Sequence, residues 1–257
     1  MEKNFFEWVI FFIQGNWQQF LLGTATTLLI SLSGTIIGFF LGLGVSLIQY
    51  TKTDDKSSTL FKGFIKFLKI LISIYITIFR GTPMIVQAMV IFYGLPQLIG
   101  LNLDPLPAAL LIVSINTGAY MAEMIRGGVD SVDPGQLEGA QAIGMSHFQA
   151  MISIIFPQAV RNVLPSIGNE FIINIKDTSV LNVIGVTELF FTSKSIAGSY
   201  AKYYEVFIIT SVIYLFLTFT ISLILKSIEK KIDGPKNFEI LPLQDGNNVV
   251  IKKGEGV

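Results

Sequence analysis

Long apolar runs alternate with short polar breaks along most of this chain. Phe20–Ile48 is the longest run; it contains Thr, Ser and Gly but no charge, and reads as a membrane span. Met84–Leu101 is apolar and opens just after Pro83, a favoured first-turn residue. Pro107–Met124 is apolar with one acid, Glu123. Asn162–Ile184 is apolar but holds Glu170, Lys176 and Asp177. Tyr204–Leu225 is uninterrupted and is closed by Lys226, Lys230 and Lys231. Phe61–Phe79 differs, because Lys62, Lys66 and Lys69 fall on one helical face. Residues 1–19 are too short an apolar stretch to span and read as an interfacial segment. Residues 228–257 form a polar, weakly ordered tail.

Charge orients these segments. With the Tyr50–Ser58 loop and the tail both cytoplasmic, the N-terminus lies outside. Six crossings cannot join an outside start to an inside end, so one candidate does not cross. The lysine-faced Phe61–Phe79 is the best choice, as an amphipathic interfacial helix. The alternative has it span while Met84–Leu101 is re-entrant. Five spans then leave Lys52, Lys56, Lys62, Lys66, Lys69, Arg80, Arg126, Arg161, Lys226, Lys230, Lys231, Lys236, Lys252 and Lys253 inside. Lys3, Lys194 and Lys202 lie outside, and Lys176 within or near a span.

Composition agrees. Of 257 residues, 51% are hydrophobic and 14% charged, and mean hydropathy is +0.63. The net charge of zero points away from nucleic acid. The absence of Cys and the single His, His147, exclude thiolate and histidine metal clusters. The acidic, aromatic start does not read as a cleavable signal peptide.

The most polar interruption, Glu123–Pro157, falls on the cytoplasmic side. Asp130 and Ser131 can cap a short helix, and Asp133-Pro134 is a helix-start signal. Small residues at 139, 140, 142 and 144 make that helix thin enough to enter a partner's groove. Ile154–Pro157 is expected to end the element and turn the chain back to the membrane. From spacing alone, a docking helix and an ordinary amphipathic loop fit equally.

Glu138-Gly139-Ala140, Gly144 and, nine residues on, Ile154-Ile155-Phe156-Pro157 resemble the cytoplasmic coupling signature of ABC importer permeases. Gly139 stands where that signature usually has Ala, weakening the helix by roughly 1 kcal/mol. Arg80-Gly81-Thr82-Pro83 with Val86-Gln87 resembles the polar amino acid permeases in particular. So do Ala119–Glu123, Arg126-Gly127-Gly128, Gly135-Gln136, Pro157-Gln158-Ala159, Arg161, Pro165, Gly168-Asn169-Glu170, Lys176-Asp177-Thr178-Ser179 and Glu188-Leu189.

The resemblance covers about residues 20–227. It implies an all-α type I importer permease of about five spans with a cytoplasmic coupling helix around Ser131–His147. It further implies a homodimer or heterodimer with a related permease, two ATPase subunits that bind ATP and Mg, and an extracytoplasmic amino-acid-binding protein. The chain itself carries no G-x-x-x-x-G-K-[ST] phosphate loop, so no cofactor is expected in it.

Glu138, Gly139, Ala140, Gly144 and Pro157 are the expected ATPase-coupling residues. For the substrate path, intramembrane ionisable groups are the first candidates. Glu170 with Asn169 can meet a substrate ammonium, or Glu170 can pair internally with Lys176. Arg80 can meet a substrate carboxylate, or pair with Glu123. Gln87 can face the path or pack. Thr178 and Ser179 can gate, or cap a helix end. His147 reads as solvated. Gly34, Gly38, Gly42 and Gly44 suit close helix packing, either within the chain or across a dimer. An ion-coupled secondary transporter is the main alternative but leaves the coupling signature unused. An opine or other zwitterion is an alternative cargo. No cluster supports an intramembrane enzyme.

Overall fold

The computed structural model describes residues 3–51, 58–233, 238–240 and 251–253. The loop lysines Lys52 and Lys56, and Lys236 in the tail, lie outside them. Four helical stretches are long and apolar enough to cross a membrane: Phe5–Tyr50, Pro105–Asp130, His147–Ile184 and Tyr203–Lys231. Met84–Ile99 is a shorter apolar helix.

Helix α1 runs unbroken over Phe5–Tyr50, 46 residues. The N-terminal segment is therefore the first turns of the long helix rather than a separate piece. Asn4 and Glu7 close its start in a reciprocal capping box. Its Phe12 is fully buried, stacked on Trp8 and edge-on to Tyr200, so it packs against α8 (Leu189–Tyr200).

The central contact is between α1 and α4 (Pro105–Asp130). Gly34 lies against Val113, Gly38 against Thr117 and Gly42 against Met121. A side chain at Gly38 would put its Cβ 2.7 Å from the Thr117 Cβ, and one at Gly42 would lie 2.7 Å from the Ala122 amide nitrogen. The glycine spacing thus serves packing within the chain. Gly44 faces open space. Further along, Ser46 Oγ donates to the Ala122 carbonyl (3.1 Å), and the Tyr50 hydroxyl to the Arg126 carbonyl (3.2 Å) and Asp130 (2.7 Å). Contacts advance together on both helices, so α1 and α4 run parallel.

Parallel neighbours require a return crossing between them. It is divided between α2 (Thr59–Gly81) and α3 (Met84–Ile99). Lys69 Nζ donates to the Thr51 carbonyl at the end of α1 (2.9 Å), while the C-terminal end of α2 reaches Asn116 and Glu123 in the body of α4. From there α3 climbs beside the first half of α4, packing Ala88 with Ala108, Ala109 and Ile112. This corrects the expectation that Met84–Leu101 crosses alone while Phe61–Phe79 stays at the surface. Pro83 cannot continue α2, and Thr82 is extended (φ −125°, ψ 147°), so the crossing breaks part-way.

Helix α7 (Phe156–Asp177) returns antiparallel to α4, with Gly128 against Ala159 and Thr117 bonded to Asn174. A 3-10 turn, Thr178–Ile184, ends at Gly185 (φ 82°). Helix α8 (Leu189–Tyr200) is capped by Glu188, whose carboxylate accepts from the Phe190 and Phe191 amides and the Tyr214 hydroxyl. Burial pushes this carboxyl up, and those donors pull against the shift. Helix α9 (Tyr203–Asp233) descends beside α7, with Leu225 against Gly168. Phe5 meets Tyr204 at one end of the bundle, and Tyr50 meets Asp130 at the other. The tail carries one antiparallel pair, β1 (Phe238–Ile240) with β2 (Ile251–Lys253), a small departure from an all-α chain.

Gly42→Ala should lower thermal stability in detergent by about 1–3 kcal/mol, because the added carbon meets backbone. Gly44→Ala should be neutral or stabilising, by up to ~1 kcal/mol from helix propensity. Equal melting shifts for the two would contradict the seam.

Candidate coupling surface and intramembrane polar groups

At the Tyr50 end, the chain between α4 and α7 forms a compact unit. Helix α5 spans Pro134–Ala142 and is capped by Asp133, whose carboxylate accepts from the Gly135 amide at 2.7 Å. Asp130 and Ser131 do not cap it. Asp130 belongs to α4 and binds Arg126 and Tyr50, while Ser131 Oγ returns to the Gly128 carbonyl. Gly144 has φ +88°, where a side chain would be strained, and reverses the chain after α5. Helix α6 (His147–Ala150) begins with a Ser146–Gln149 capping box.

Helix α6 passes into a π segment, Met151–Ile155, and then directly into α7. Pro157 therefore opens α7 rather than ending the element. Proline has no N–H, and its ring crowds the carbonyl four residues back. The wider π turn, with the Phe156 amide bonded to the Met151 carbonyl, accommodates it.

Glu138, Gly139, Gly144 and Pro157 are exposed at this end, whereas Ala140 is buried. Ile143 and Phe148 are also largely exposed, at 79% and 59%, and add apolar surface that the spacing argument overlooked. His147 is not simply solvated. Its Nε2 lies 3.1 Å from the Tyr50 carbonyl and joins α6 to the end of α1.

The expected substrate-path residues divide into four places, and no hydrogen bond or ion pair joins them among the described residues. Arg80 Nη1 bonds Glu123 Oε2 at 2.8 Å. Glu123 also holds Arg126, which reaches Asp130, so Arg80 begins a charge ladder down α4. Gln87 is buried at the break between α2 and α3. Its amide donates to the Phe79 and Thr82 carbonyls, each at 2.9 Å, and its oxygen accepts from Asn116 Nδ2 at 2.8 Å. It satisfies carbonyls that the interrupted helix exposes. Thr178 and Ser179 likewise donate to the Ile175 and Lys176 carbonyls and cap the end of α7.

Glu170 is different. It is 4% exposed, on α7, and its carboxylate has no ion pair or hydrogen bond among the described residues; Lys176 does not reach it. Asn169 is exposed beside it. One turn further, Asn174 Nδ2 donates to Thr35 Oγ1 (2.8 Å) and Thr117 Oγ1 (3.0 Å), tying α7 to both α1 and α4. Sequence reasoning missed this tie and Asn116. The signal was present in polar residues inside apolar helices, but their partners lie far away in the chain. Among the described residues, no three of His, Asp and Glu converge to hold a metal ion.

Residues 57–234 match the family model described as binding-protein-dependent transport system inner membrane component. The chain belongs to that family. Among its relatives, this inner membrane component is 36% identical over 210 residues to the arginine transport system permease ArtQ of Bacillus subtilis, covering 82% of this chain and 90% of that protein. It is 37% identical over 210 residues to the glutamine permease GlnP of Escherichia coli, covering 81% and 90%. The nopaline permease NocM of Agrobacterium fabrum is 36% identical over 211 residues, covering 79% and 83%. Among solved structures, a chain of an amino acid ABC transporter crystallised with histidines matches with TM-score 0.76 and 35% identity, over 90% of this chain and 100% of that one. A MetNI methionine ABC transporter chain, at 17% identity and TM-score 0.69, shares the type I importer fold.

Gln87→Leu should destabilise the protein by about 1–3 kcal/mol, since it leaves buried carbonyls unpaired. Amino acid affinity of the folded fraction should be unchanged. A selective loss of affinity with unchanged melting would return Gln87 to the path.

Proposed function

We propose that this chain is the membrane-spanning subunit of an ABC importer that moves polar amino acids across the cell membrane, with ATP hydrolysed by separate subunits. The observation that carries the reading is the unit formed by α5 and α6. It presents Glu138, Gly139 and Gly144 outward on a capped helix-turn-helix, in a chain whose family consists of such membrane components. A self-contained transporter driven by an ion gradient has no use for that surface.

In this reading, the Tyr50 end faces the cytoplasm and the Phe5 end faces outward. Two ATPase subunits dock on the α5–α6 unit, and two membrane subunits, identical or related, enclose the pathway. An extracytoplasmic binding protein delivers the amino acid. Glu138 makes a charge-assisted contact in the ATPase groove, while the small Gly139 allows close approach and Gly144 holds the turn. ATP and Mg belong to the ATPase partner.

Within the membrane, Glu170 is the residue that meets a substrate cation. Its support is the pairing of low exposure with the lack of any hydrogen bond or ion pair among the described residues. A buried carboxylate in such surroundings is costly unless a positive group meets it. Asn169 stands next to it as a second polar group. Arg80, Gln87, Thr178 and Ser179 hold the fold around the path.

Glu138→Lys should abolish amino acid uptake by the reconstituted complex while membrane insertion and melting stay unchanged. Normal uptake by this variant would refute the docking assignment. Glu170→Gln should weaken radiolabelled amino acid binding about tenfold or more, as expected for a lost charge-assisted contact of roughly 1.5–3 kcal/mol. Unchanged affinity would remove Glu170 from the substrate site.

A further inference from the structure

We propose that the lysine face of α2 forms a binding groove for the phosphodiester headgroup of an anionic phospholipid at the Tyr50 end of the bundle. The groove, of about 570 Å³, lies between α2 and the end of α1 and is lined by Thr51, Lys62, Lys66, Lys69, Ile70 and Ser73 among others. Lys62, Lys66 and Lys69 follow helical spacing and converge on it. Among the described residues its lining contains no acidic side chain. Lys69 Nζ is anchored on the Thr51 carbonyl, which fixes one cation at the groove's edge. Lys66 is exposed and makes no hydrogen bond or ion pair among the described residues. Asp130, which lines a neighbouring groove with Lys69, is engaged by Arg126 and the Tyr50 hydroxyl.

The rest of α2 selects a lipid rather than a soluble anion. Its packed side is narrow, with only Ile72 and Ile76 buried. On the flank away from the lysines, Phe64 (57% exposed), Phe67 (55%) and Ile74 (50%) are uncovered. The helix thus offers apolar surface to acyl chains and ammonium groups to the headgroup of the same molecule. Its ascent from Thr51 into the body of α4 puts the lysines, with Phe64 and Phe67 at their level, at the boundary and Ile74 deeper. The charge complement is specific in sign: a zwitterionic headgroup gives little net attraction, and an anionic one gains from each lysine.

The full chain in neutral detergent is offered phosphatidylglycerol or phosphatidylcholine, and lipid retention is read by native mass spectrometry. Phosphatidylglycerol should be retained preferentially. Retention should fall about fivefold for each lysine changed in the series Lys66→Gln, then Lys62→Gln and Lys69→Gln added. A second triple variant, Lys226→Gln, Lys230→Gln and Lys231→Gln at the end of α9, should retain the lipid as the parent does. Inorganic phosphate at equal concentration should not displace it. Unchanged retention in the α2 variants, equal loss in the α9 variant, or displacement by phosphate would each overturn the proposal. Should the triple α2 variant fail to fold, the exposed Lys66→Gln alone decides, because it removes no contact within the fold.

Discussion

The close approach of α1 to α4 is the constraint on which the rest of the bundle depends. Three glycines one turn apart remove the side chains that would hold the helices apart, and Val113, Thr117 and Met121 fill the space. In a lipid surrounding, helices gain nothing by hiding apolar surface from water. Association instead rests on fitted packing and on polar ties. The seam supplies the first, and Asn174, bonded to Thr35 and Thr117, supplies the second where α7 crosses.

Parallel packing of two helices that are separated in sequence has a topological cost, met by an interrupted return. The backbone groups freed at Thr82-Pro83 cannot be left bare away from water. Gln87 and Asn116 cover them, so the break is ordered. Replacing Gln87 would leave the Thr82 carbonyl without this donor and the Phe79 carbonyl with Asn116 alone, at 3.4 Å. Polar residues in this region therefore carry a structural load at the break.

Much of the architecture was legible in the sequence because the signals are local. Apolar length marked the crossings, lysine periodicity marked the odd helix, and Asp133-Pro134 marked the start of α5. The glycine spacing announced a close approach, but spacing alone could not say to what. The roles of Arg80 and Gln87 were ambiguous because their partners, Glu123 and Asn116, lie in another helix. The role of Pro157 was misjudged for a different reason. A proline normally stops a helix, yet a locally widened turn lets one begin there without a loop. The split crossing was hidden too, because the lysine face of α2 read as a surface helix and left α3 to cross as a whole span.

That widened turn has a mechanical consequence. From His147 to Ile184 the chain is helical in one form or another with no loop between, its bends confined to the π segment and to Pro165. A loop would absorb a small displacement at the exposed end. A continuous rod delivers it, as tilt or rotation, to the level of Glu170 and Asn174 deep in the bundle. His147, gripping the end of α1, then sits where a lever has its pivot.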